Sequence, residues 1–104
     1  MLKKIGITLL ILLVLSLGVF GYITYKKNEV KSAVEDYLIK EEQIKREDIL
    51  TLEPFIANLS GDKKYLVFVQ IKDDEKRYYY FKDTKKNKVL LESYILNGKE
   101  HVVN

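Results

Sequence analysis

From Ile5 to Tyr25 the chain runs for 21 consecutive residues without a charge, and 15 of these are apolar. No other feature limits the fold so sharply. At about 1.5 Å per residue this stretch makes a helix of roughly 31 Å, which matches a hydrocarbon core of about 30 Å. Lys3 and Lys4 precede it, and Lys26 and Lys27 close it. Phe20, Tyr22 and Tyr25 crowd its C-terminal end, where aromatic rings favour the boundary between membrane and water. The segment reads as a membrane span or a signal peptide, and its partner is the lipid bilayer.

A cleaved signal needs small residues at the first and third positions before the cut. Ser16–Leu17–Gly18 and Val19–Phe20–Gly21 come closest, and neither is of the Ala-x-Ala type. The apolar run also exceeds the usual ~7–15 residues of a signal core. An uncleaved single-pass signal anchor is therefore the expectation. It divides the chain into a basic head (1–4), a transmembrane segment (5–25) and a small domain (26–104). Lys3, Lys4 and the amino terminus compete with Lys26, Lys27 and Lys31 on the far side, so lysine counts alone set no orientation. The short, signal-like basic head favours a C-terminal domain outside the cytoplasm.

Splitting the chain this way changes what its composition means. The whole sequence has 18 Lys+Arg against 15 Asp+Glu and is 47% apolar. Residues 26–104 hold 16 Lys+Arg against 15 Asp+Glu, a net charge of +1 with the signs interspersed along the sequence. Such a domain shows no basic footprint for nucleic acid. The pairs Lys63–Lys64 and Lys85–Lys86 read as solvated turn residues. With no Cys, the chain has no disulfide framework, thiolate zinc site or cysteine nucleophile.

Residues 28–42 are mostly good helix formers. Val30, Ala33, Val34, Tyr37 and Leu38 recur at the i, i+3, i+4, i+7, i+8 spacing of one helix face. No Gly or Pro lies between Tyr22 and Glu53. This helix either starts afresh at Asn28 or continues the membrane helix as one rod of nearly forty residues. The periodicity then changes. Ile49–Leu52 forms a strand that Pro54 should end or bulge, and Phe55–Leu59 extends it as an edge. Ser60–Gly61–Asp62 is turn chemistry.

Tyr65–Ile71 is the clearest strand, rich in β-branched and aromatic residues. Asp73–Lys76 forms a hairpin loop, and Arg77–Lys82 returns. After the loop Asp83–Asn87, Lys88–Leu96 makes a fourth strand, ended by Asn97–Gly98 and followed by a polar tail. The fold class is α+β, with one amphipathic helix packed on a roughly four-stranded antiparallel meander.

Pairing Lys72 with Arg77 puts Tyr65, Val67, Val69, Ile71, Tyr78 and Tyr80 on one sheet face. Leu66, Phe68, Gln70, Tyr79 and Phe81 take the other. A single helix covers one face, and the second stays aromatic where solvent would select polar residues. Phe68, Gln70, Tyr79 and Phe81 are therefore the candidate partner surface. The competing explanation is that the sheet curls, or that residues 50–59 and the tail cover this face.

No catalytic, metal or cofactor site is read from the sequence. His101 sits in the polar tail without a carboxylate or Ser partner nearby in sequence. Asp73–Asp74–Glu75 lacks the spaced ligands and glycine of a calcium loop. Asn58–Leu59–Ser60 is a glycosylation triplet short enough to arise by chance. The chain is expected to be no enzyme and to need no cofactor.

Several blocks then stand in a familiar order. These are Lys3–Lys4 before one apolar span, the helix ending Tyr37-Leu-Ile-Lys-Glu41, Ile49…Leu52-Glu-Pro54, Tyr65-Leu-Val-Phe-Val69, and Tyr78–Phe81 before a lysine-rich turn. This layout resembles a domain-of-unknown-function family of small, single-span membrane-anchored proteins of Gram-positive bacteria. Members often carry a Gly–aromatic pair after the helix, where Gln43–Ile44 stand here. The resemblance implies a cell-membrane protein and supplies no activity or site residues. Two functions follow from the layout: an interaction module binding an envelope or membrane protein, or a small immunity or inhibitor protein acting at the membrane. Self-association is left open.

Overall fold

The computed structural model describes residues 2–104, with side chains from Lys3 onward. A single helix, α1 (Leu2–Lys40), occupies 39 residues and gives the molecule its elongated shape of 63 × 27 × 26 Å. Of the two helix arrangements compatible with the sequence, the continuous rod is the one adopted. Asn28 lies exposed within it and caps nothing. The 18-residue apolar window of α1 has no buried residue, so this part is long and apolar enough to cross a membrane. Two of its polar side chains bond locally. The hydroxyl of Thr8 donates to the Lys4 carbonyl at 2.8 Å, and that of Ser16 to the Leu12 carbonyl at 2.9 Å, as a medium without water requires.

The last four turns of α1 have a different environment. Val30, Val34 and Leu38 are almost fully buried and pack with Val67, Val69, Tyr80 and Val89. The helix-face spacing read from the sequence is thus the core-facing stripe. One helix supplies both the apolar rod and three of the seven buried residues of the core cluster. At its end the chain reverses through Gln43, which adopts a left-handed φ of 56°, and the Ile44 N–H donates back to the Leu38 carbonyl at 3.0 Å. Ile44 then packs against the core.

After a short 3-10 turn, η1 (Arg46–Asp48), comes an antiparallel meander. Its strands are β1 (Ile49–Ile56), β2 (Tyr65–Ile71), β3 (Arg77–Asp83), β4 (Lys88–Leu96) and β5 (Lys99–Val102), in spatial order 1-2-3-4-5. A second 3-10 turn, η2 (Gly61–Lys64), links β1 and β2. The α+β class holds, with five strands rather than four. The extra strand is the polar tail. Asn97 (φ 53°) and Gly98 (φ 75°) both have positive φ, the geometry of a two-residue hairpin that matches strand twist. The chain therefore turns back at Asn97–Gly98 and pairs Lys99–Val102 with β4.

Two further details differ from the expectation. β1 passes through Pro54 as one strand, with Pro54 opposite Val67; on an edge strand the missing N–H can face away from the ladder. The first hairpin pairs Gln70, not Lys72, with Arg77. A slip of two residues preserves side-chain parity, so the two faces contain the residues expected of them.

Candidate interaction surface

The sheet face away from α1 is built from alternate residues of β1 to β4. Phe68 stands opposite Tyr79 in the β2–β3 ladder, and Phe55 lies one strand further out. The Phe68 and Tyr79 rings are tilted with centroids 5.4 Å apart, and Phe55 meets Tyr79 edge-on at 5.9 Å. These offset geometries suit the ring quadrupoles. All three rings are half-buried. Gln70 completes the row, and its side-chain oxygen accepts from the Thr51 hydroxyl at 3.0 Å.

Phe81 departs from the expectation. It is 5% exposed and lies beneath Lys63, whose ammonium sits 5.8 Å from the ring centroid. η2 and the chain end cover this side of the sheet, so Phe81 is core and offers no contact area. Leu66, on the same face, is also buried at 5%. Leu66 and Phe81 are thus covered, with the chain end contributing, as expected of the tail, and η2 as well, while Phe68, Gln70 and Tyr79, joined by Phe55, stay accessible.

A β-bulge borders the accessible half. Tyr79 pairs with Ser93 and Tyr80 with Leu91, leaving Glu92 as the extra residue in β4. Both Glu92 and Ser93 are buried, and the Ser93 hydroxyl donates to the Glu92 carboxylate. A shallow cleft of about 280 Å³ opens there between Phe55, Tyr79, Ile95 and Glu100. Alternation from Val89 and Leu91, which face the helix-side core, already puts Glu92 on this side; the bulge keeps the next residue, Ser93, on it as well.

The edges of the sheet are poor templates for another strand. β1 carries Pro54 and an irregularity between Ile49 and Thr51 that leaves Leu50 exposed. β5 has four residues, all exposed and three of them polar or charged. Short, charged or proline-bearing edges discourage edge-to-edge pairing. Recognition is better served by the face than by the edges.

On the helix side, the tyrosines serve structure. The Tyr37 hydroxyl donates to Glu42 at 2.7 Å, and this bond, with burial, pushes its phenol up to about 12. Tyr78 and Tyr80 are also raised, each mainly by burial; for Tyr78 the hydrogen bond to Asp74 adds to it. All three stay protonated and neutral in physiological conditions. Asp74 closes the β2–β3 loop, accepting from the Lys76 N–H at 2.9 Å and the Tyr78 hydroxyl at 2.6 Å. The acidic run Asp73–Glu75 thus has a structural use, beside a groove of about 760 Å³.

His101 is not in a free tail. It stacks on Tyr94 at 4.8 Å and 17°, and Lys76 sits 4.8 Å above the same ring. Among the described residues, no three His, Cys, Asp or Glu side chains converge closely enough to hold a metal ion. Comparison of the chain with protein-family models, curated proteins and solved structures finds no match.

Proposed function

We propose that the protein is a single-pass, membrane-anchored interaction module whose α+β domain stands outside the cytoplasm and binds an envelope or membrane protein. The observation that carries this reading is the continuity of α1. The stretch Ile5–Tyr25 is wholly solvent-exposed apolar helix apart from half-buried Ile23, and without interruption the same helix becomes the core stripe Val30–Val34–Leu38. A span joined to a domain through a linker would let the domain drift. A shared helix holds it at a fixed height and rotation above the bilayer. The accessible row Phe55, Phe68, Gln70 and Tyr79 then faces sideways, along the membrane plane, where neighbouring membrane proteins stand. Clustered, partly exposed aromatic residues are the usual anchors of such contacts.

Two measurements test the reading together. A reporter active only outside the cytoplasm, fused after Asn104, should be active, and the fusion should resist carbonate extraction. A photo-crosslinker at Gln70 should trap one dominant membrane-protein adduct in intact cells. Phe68→Ser with Tyr79→Ser should abolish that adduct while near-ultraviolet circular dichroism stays native. Crosslinking at Gln70 no stronger than at the helix position Ser32 would refute the partner surface.

A further inference from the structure

Height above the apolar segment can be read along α1. Glu29 lies four residues, or about 6 Å, beyond Tyr25, and its carboxylate meets the Lys82 ammonium at 3.3 Å. Higher up, the Tyr37 ring lies 5.7 Å from Tyr80, and Glu42 shares a groove with Tyr78. Climbing the helix from Glu29 to Glu42 therefore retraces β3 from Lys82 back to Tyr78. β3 descends toward the apolar segment, and in a meander the turn after β1 and the turn after β3 must share that pole. They touch: the Asp62 carboxylate of η2 accepts from the Thr84 N–H at 2.9 Å and from its hydroxyl at 3.0 Å.

Folding thereby sorts charges that the sequence interleaves. The two turns bring Lys63, Lys64, Lys85 and Lys86 to the lower pole, and the elements beside them add Lys26, Lys27, Lys82 and Lys88. Glu29, Asp62 and Asp83 stand among them, and Asp36 of α1 borders Lys82 and Lys88 across a groove. The rest of residues 26–104 holds 8 Lys+Arg against 12 Asp+Glu. The three acids of the lower pole are engaged internally. Glu29 pairs with Lys26 and Lys82, Asp62 with Thr84, and Asp83 accepts the N–H groups of Lys85 and Lys86. Lys63 donates to the main-chain oxygen of Asn104 at 2.6 Å; among the described residues, Lys64, Lys85 and Lys86 have no carboxylate within ion-pair distance. Ile56 and Leu59, exposed apolar residues, lie at the same end of the sheet.

We propose that this pole is a second membrane contact, at which the turn lysines bind the phosphates of anionic lipid headgroups in the leaflet where α1 emerges. It rests on the reading of α1 as an anchor. A basic surface beside an apolar helix end lies within a Debye length of the headgroups, where attraction to anionic lipid is strong. A nucleic acid or a soluble acidic partner would have to share that space with the bilayer. Contact at two turns, tied by Asp62 and Thr84, adds to the helix and resists tilting of the domain.

The test uses the full chain in nanodiscs of phosphatidylcholine, alone or with about 30 mol % phosphatidylglycerol, and follows amine acetylation lysine by lysine. Lys64, Lys85 and Lys86 should react about threefold more slowly in the anionic discs, and about 1 M NaCl should erase the difference. Lys45 and Lys99, at the opposite pole, should be unaffected. In K64Q/K85Q/K86Q, Lys88 should lose its protection. Equal rates in both lipids, with the chain integrated, overturn this proposal and leave the anchor standing. A chain that carbonate strips from the membrane overturns both.

Discussion

Leu38→Ala offers the most direct check of the shared helix. Leu38 is 0% exposed and lies in the last turns of α1, more than thirty residues from the start of the helix. Truncation removes three carbons, a transfer loss of about 2.4 kcal/mol at roughly 0.8 kcal/mol each. The rigid sheet beneath, with Val67 and Val69 also fully buried, cannot collapse far into the space, so the cavity raises the cost to about 3–4 kcal/mol. At roughly 0.05–0.15 kcal/mol per residue, a domain of 79 residues has about 4–12 kcal/mol in all. The variant should fold but lose much of its reserve. With a urea slope of about 1–1.5 kcal/mol/M, its midpoint should fall by about 2–4 M. The assay is urea unfolding of the full chain in detergent, read by near-ultraviolet circular dichroism of the tyrosines; the chain has 8 Tyr and no Trp. Far-ultraviolet signal from residues 5–25 should persist, because that segment is held by detergent and not by the domain. Ser32→Ala, an exposed change on the same helix, should stay within about 0.5 kcal/mol. A Leu38→Ala midpoint equal to that of Ser32→Ala would refute the shared core.

Three other outcomes follow from the same packing. The Tyr37 phenol is raised to about 12 in the fold from an unfolded value of 10.0, so its contribution is complete below about pH 10 and is lost as pH climbs through about 12. Urea midpoints should therefore fall on going from about pH 9 to 11, and Tyr37→Phe should lessen the fall, the remainder coming from Tyr78 and Tyr80, which are raised as well. Asp74→Ala strips the acceptor from the Lys76 N–H and the Tyr78 hydroxyl; it should cost about 1–3 kcal/mol, and ultraviolet titration should show a tyrosine ionising earlier than in the wild type. Gln43→Gly relieves a side chain held at φ 56° and should gain about 0.5 kcal/mol, seen as a slightly higher thermal midpoint.

The elements that could be read from the sequence are those where local pattern and tertiary environment agree. The helix stripe Val30–Leu38 follows a 3.6 period because one face meets the sheet. The faces of β2 and β3 follow a period of two, and a register error of two residues left them intact. β5 escaped because Lys99–Val102 has no apolar alternation; its only mark was Asn97–Gly98, a hairpin signal that also reads as a strand end. The position of Gln43 has a related logic. The chain needs a left-handed turn at that point, adopted here by a residue that tolerates it less well than glycine. Within the candidate surface, alternation places Phe68, Gln70 and Tyr79, whereas the face that Phe55 takes depends on the register of β1 across Pro54. Alternation places Phe81 on the same face, but η2 covers it, and cover by a remote turn leaves no trace in a strand's own sequence.

The distribution of charge was the least legible feature, and topology explains why. Along the chain, positive and negative residues are interspersed and nearly cancel over 26–104, which argued against any charged surface. A meander, however, folds every second turn to the same end. Lys63–Lys64 and Lys85–Lys86 are 22 residues apart in sequence and lie on neighbouring turns joined through Asp62 and Thr84. The acidic runs Glu41–Glu42, Glu47–Asp48 and Asp73–Glu75 fall in the alternate connections and collect at the other end. Spacing between like charges therefore matters more than their local mixing: when it equals one full up-and-down excursion of the strands, a sequence of net charge near zero folds into a strongly polar domain. The orientation of that polarity is then fixed by α1, because the helix that forms the core is also the one that leaves the domain at its basic pole.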